Sequence, residues 1–110
     1  RESKMNQFTG LVGSGPAYFF YLLKTYEKEL LKMCNGNKDE VASIMKNLLE
    51  GVSKSIQVND NLDELIKMVA SKKGTTEAGL KSFSRNNINK IFKDGLKKAI
   101  ERSKEISNEY

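Results

Sequence analysis

A chain of 110 residues suits one small domain, and a hydrophobic content of 38% supplies only a modest core. One cysteine, Cys34, and no histidine exclude an intrachain disulfide, a Cys/His zinc site and a Cys–His or Ser–His nucleophile pair. The net charge of +5, with much of the positive charge in the second half, fits nucleic acid, an anionic cofactor or plain solubility.

No apolar run approaches the roughly 20 residues of a membrane span, and no signal peptide is visible. An unpaired cysteine fits a reducing, cytoplasmic setting. The opening Arg1-Glu2-Ser3 carries no initiator Met, which points to part of a longer product.

Residues 1–8 are polar and read as a linker to a helical domain over 9–110. Gly10-Leu11-Val12-Gly13-Ser14-Gly15-Pro16 is a punctuated segment in which Ser14 can cap and Pro16 fits a first helical turn. Ala17 to Leu23 follow without a polar break, so this helix start is expected to be buried on more than one face, at the centre of a dimer. Asn35-Gly36-Asn37 ends the helix.

Asn37-Lys38-Asp39-Glu40 reads as a cap with acids in the first turn. Val41, Ile44, Met45, Leu48, Leu49, Val52 and Ile56 then make the cleanest helical stripe in the chain. Gly51 within it is expected to mark a close helix contact. After Asn59-Asp60-Asn61, Leu62, Leu65, Ile66 and Val69 make a short third helix. Leu80 and Phe83 mark a fourth, and Ile88, Ile91, Phe92, Leu96, Ala99, Ile100 and Ile106 a long fifth. No period-two alternation bounded by turns occurs. The fold class is all-α, with about five helices.

Between the third and fourth helices lies Ser71-Lys72-Lys73-Gly74-Thr75-Thr76, a polar turn opening a helix near Glu77. Its glycine permits close backbone approach, its hydroxyls donate, and free N–H groups of the helix start point into it, which suits one carboxylate or phosphate. A Thr N-cap on a glycine turn is the plainer alternative.

Three segments together resemble the C-terminal domain of the pyrroline-5-carboxylate reductase family, over roughly residues 8–107. Gly13-Ser14-Gly15-Pro16-Ala17-Tyr18 matches the family's Gly-Ser-Gly-Pro-Ala-Tyr. Ser71 to Leu80 follows its Ser-Pro-Gly-Gly-Thr-Thr and Ala-Gly-Leu, with Lys72 and Lys73 in place of Pro-Gly. Ala99 to Glu105 matches its closing Ala-x-x-Arg-Ser-x-Glu.

The resemblance implies an intertwined helical dimerisation domain, of the kind that follows a Rossmann domain in 6-phosphogluconate-dehydrogenase-like reductases. It implies a homodimer, or a higher assembly of dimers, without nucleic acid or membrane. By the same resemblance Ser71, Gly74, Thr75 and Thr76 hold the carboxylate of 1-pyrroline-5-carboxylate, while Thr9, Gly13 and Pro16 lie near the nicotinamide of NADP or NAD. The implied reaction is hydride transfer to the imine carbon, giving L-proline.

No Gly-x-Gly-x-x-Gly segment after a strand is present, so the nucleotide-binding domain is expected outside this chain, which alone is expected to be inactive and to hold no catalytic residue. Two other readings stay open: a helical homodimer without catalysis, and a small basic module using Lys90, Lys93, Lys97, Lys98 and Arg102 on nucleic acid.

Overall fold

A computed structural model describes residues 2–70 and 74–109. Among the described residues six α-helices follow one another: α1 (Glu2–Phe8), α2 (Gly15–Met33), α3 (Lys38–Val58), α4 (Leu62–Ala70), α5 (Thr75–Arg85) and α6 (Ile88–Glu109). A π-helical turn, Thr9–Gly13, joins α1 to α2. Among the described residues there is no strand, and the fold is all-α.

The five helices expected from the sequence correspond to α2–α6, with local signals at their ends. Asn35 and Gly36 take left-handed φ of 51° and 81°, and the Gly36 amide donates back to Leu31 O at 2.8 Å, closing α2. Asn37 caps α3 by accepting from the Glu40 amide (3.1 Å). Asn61 caps α4 through the Glu64 amide (3.1 Å), and the Glu64 carboxylate in turn accepts from the side-chain amides of Asn59 and Asn61. Asn87, at φ 60°, separates α5 from α6.

Two expectations require correction. Residues 1–8 were expected to be a linker, yet Glu2–Phe8 is helical and Asn6 is buried. Polarity hid this helix, because its anchor is a polar one: Ser103 Oγ donates to Asn6 Oδ1 at 2.9 Å across 97 residues of sequence. Nor does Gly51 mark a close helix contact within the single chain, since a Cβ added there meets nothing within 4 Å.

The chain forms two compact units. One comprises the two ends, up to Leu23 and from Ser82 onward; the other is Lys24–Lys81. In the first, α6 packs on both α1 and the π-helical turn. In the second, Cys34 and Val41 are buried where the end of α2 meets the start of α3.

Many of the large apolar side chains are strongly exposed, while others, such as Leu30, Ile44, Leu65 and Leu96, are half-buried. Phe19, Phe20 and Tyr21 of α2 are 60%, 66% and 74% accessible, and Leu62, Met68 and Val69 of α4 are similarly open. Apolar side chains left this open on several helices are the kind of surface that obligate interfaces bury. Most of the Ala17–Leu23 run, expected to lie inside a dimer, is exposed in the single chain, with Tyr18 and Leu23 half-buried.

Candidate functional site

The turn before α5 contains three of the expected substrate-binding residues: Gly74, Thr75 and Thr76. Gly74 has φ +53°, a left-handed conformation that glycine adopts without steric cost. Its carbonyl accepts from the Ala78 amide at 3.0 Å, which makes Gly74 the cap and Thr75 the first helical residue. The helix therefore starts two residues before Glu77, and the cap is glycine rather than threonine.

That difference has a chemical consequence. Asn37 and Asn61 each place a side-chain oxygen on a helix-start amide. Glycine has none to offer, so the cap itself leaves the amides of Thr76 and Glu77 without a side-chain acceptor. Gly74 and Thr75 are exposed, and Thr76 is half-buried. Glu77 adds a negative charge beside these amides, partly offset by Lys81 at 3.5 Å in the next turn. Ser71, the fourth expected residue, lies outside the described residues, as do Lys72 and Lys73.

Thr76 also sits on the wall of an open apolar groove of about 720 Å³, with Leu48, Val52 and Ile56 from α3, Leu62 and Ile66 from α4, and Leu80 from α5. Gly51 lines this groove, which explains why it touches nothing in the single chain. Periodicity along one helix carries no sign of such a groove beside the turn, because its walls come from three helices.

The residues expected near a nicotinamide occupy the other unit. Thr9 opens the π-helical turn and is exposed; its hydroxyl donates to Met5 O at 3.0 Å, which leaves the oxygen able to accept. Gly13 closes the turn, and a Cβ placed on it meets nothing within 4 Å. Pro16 is exposed in the first turn of α2, where its missing N–H costs nothing. All three are exposed. They do not make a dinucleotide site, which needs a glycine-rich turn after a strand.

Sequence reasoning missed two contributors to this arrangement. Gly10 is buried against Ile100, and the Tyr18 hydroxyl donates to the Gly10 carbonyl at 3.1 Å. Neither shows in helical periodicity, although Tyr18 lies inside the matched Gly-Ser-Gly-Pro-Ala-Tyr segment.

Among the described residues no group of three or more Cys, Asp or Glu gathers to hold a metal, and no helix is long and apolar enough to cross a membrane.

The sequence matches the family described as pyrroline-5-carboxylate reductase dimerisation over residues 2–106. It is 39% identical over 107 residues to the pyrroline-5-carboxylate reductase of Staphylococcus haemolyticus, covering 96% of this chain and 39% of that protein. The Staphylococcus aureus (strain COL) protein of the same name is 38% identical over 108 residues, covering 97% and 40%. That of Staphylococcus saprophyticus is 33% identical over 109 residues, covering 98% and 40%. The chain thus spans about two fifths of the length of these curated relatives. No solved structure matches it. With the match reaching from α1 into α6, over helices whose apolar faces stand open, the chain belongs to the pyrroline-5-carboxylate reductase dimerisation family.

Proposed function

We propose that the chain is the dimerisation and substrate-clamp part of a reductase that converts 1-pyrroline-5-carboxylate to L-proline in proline biosynthesis. A separate Rossmann domain of the same protein would hold most of the NADP or NAD. The observation that carries the reading is the glycine-capped start of α5, where the cap offers no side-chain acceptor to the first amides and the Thr76 hydroxyl stands beside them, a combination that suits one carboxylate. The relatives' shared name supports the reaction.

In this reading the amides and hydroxyls of Thr75 and Thr76, with Ser71, grip the carboxylate and fix the ring's orientation. The reduced nicotinamide, when bound, supplies the hydride. Thr9 would touch the edge of its ring, and Gly13 would leave room for it. Binding by amides and hydroxyls involves no titrating side chain. The apolar helix faces, including the α2 run and the groove beside Thr76, would be covered by a second copy in a homodimer, which leaves a soluble cytoplasmic enzyme.

Two alternatives have less behind them. The relatives' names speak for neither a non-catalytic dimer nor a nucleic-acid module. Base reading by the latter would also need aromatic or Arg groups among the α6 lysines.

Imine-dependent oxidation of NADPH or NADH by the full-length protein tests the proposal. Thr76→Ala should raise KM for the imine about ten- to a hundredfold, the scale of one hydrogen bond to a charged group. No imine-dependent oxidation of either nucleotide would defeat the reading.

A further inference from the structure

We propose that Tyr18 is a positioning residue, whose hydroxyl holds the π-helical turn and thereby sets where Thr9 stands. The inference rests on the reading of Thr9 as a contact to the nicotinamide.

A π-helical turn is an uncommon local structure, and its final carbonyls lose their partners when a new helix starts. Here the break is sharp. The Ser14 amide donates back to Thr9 O at 2.9 Å, and the Ala17 amide then takes Ser14 O at 3.1 Å, which begins α2. Gly10 is the buried residue of the turn, so its carbonyl cannot rely on water. The Tyr18 hydroxyl reaches back eight residues to accept that role, donating at 3.1 Å.

Two constraints therefore meet at Gly10. On one side is the backbone of Ile100 in α6; on the other is the hydroxyl of Tyr18. The Tyr18 ring is itself half-buried, beside a small apolar pocket of about 250 Å³ that Leu22, Ile91 and Phe92 also line. An aromatic body among apolar neighbours and a polar tip aimed at one carbonyl make a strut. Thr9 is the residue directly before the strutted carbonyl, and its own carbonyl is engaged by Ser14. Loss of the Tyr18 hydroxyl leaves the ring packing intact and frees the turn.

The test uses the full-length reductase with Tyr18→Phe, Thr9→Val and the double variant, measuring kcat, both KM values, dimer mass and thermal midpoint. Tyr18→Phe should raise KM for the nicotinamide nucleotide about three- to tenfold, the order of one neutral hydrogen bond, with KM for the imine within about twofold. The double variant should be no worse than Thr9→Val alone, because Tyr18 acts through Thr9. Wild-type behaviour of Tyr18→Phe beside an impaired Thr9→Val overturns the proposal and leaves the reading of Thr9 standing. A wild-type Thr9→Val removes that reading, and the proposal with it. Additive losses, or equal rises in both KM values with loss of dimer, overturn the proposal in favour of a general structural role.

Discussion

Gly10 and Ile100 approach so closely that no side chain fits between them: a Cβ on Gly10 would lie 2.7 Å from Ile100 Cγ1, 2.8 Å from its amide nitrogen and 3.0 Å from its Cα. This contact joins the π-helical turn to the middle of α6. Gly10→Ala should therefore destabilise the protein by about 1–3 kcal/mol, as overpacking does, despite alanine's better helix propensity. Adding Ile100→Ala removes the Cγ1 contact only. The backbone contacts persist, so the double variant should not recover. Urea unfolding checks both, and an unchanged or higher midpoint for Gly10→Ala would refute the close packing.

Asn6 and Ser103 supply the second tie between the chain's ends. Ser103 Oγ donates to Asn6 Oδ1 at 2.9 Å, and Asn6 is 8% exposed. A double-mutant cycle with Asn6→Ala and Ser103→Ala should return a coupling of about 1 kcal/mol, the usual net value of such a bond. A coupling indistinguishable from zero in denaturant titrations would mean that α1 is held by other contacts.

These two ties separate what was legible in the sequence from what was not. Helices α2 to α6 announce themselves locally, through apolar spacing and the Asn and Gly residues at their ends. The Gly74–Thr76 turn was legible for the same reason, although the choice of glycine over threonine as cap was not. Helix α1 offers no apolar stripe, and its partner Ser103 is 97 residues away, beyond any local window. The π-helical turn reads as a glycine-rich loop until Ile100 is set against Gly10. Gly51 misleads in the opposite direction: small residues also occur where a surface awaits a partner outside the chain.

Cys34 offers a test of pH dependence. Burial raises its thiol above the ordinary value of 9.0, and the Glu40 carboxylate beside it adds to the rise through a hydrogen bond and its charge. The folded chain thus favours the protonated thiol relative to the unfolded chain. The resulting stabilisation is complete below about pH 9 and is lost as pH rises through the folded-state pKa. Alkylation at pH 8 should be markedly slower in the native protein than in urea. Glu40→Gln should lower the thiol pKa and speed the native reaction, and equal rates in native and unfolded protein would contradict the assignment.

The open apolar faces lead to a prediction about assembly. Phe20 is 66% exposed in the single chain, and substitutions at positions truly facing solvent usually change stability by no more than about 0.5 kcal/mol. If a second copy covers α2, Phe20→Asp instead buries a charge in the interface and removes an aromatic contact, at a cost of several kcal/mol. Sedimentation should then show a dimer for the parent chain and a monomer, or a loosely folded species, for the variant. The parent's thermal midpoint should rise with protein concentration, because association stabilises only the folded form. Ile66→Asp, on the wall of the groove beside Thr76, should act in the same direction, whereas Lys54→Asp, a charge change at an exposed position outside the groove lining, should not. A monomeric parent with a concentration-independent midpoint would show that these faces await a different partner.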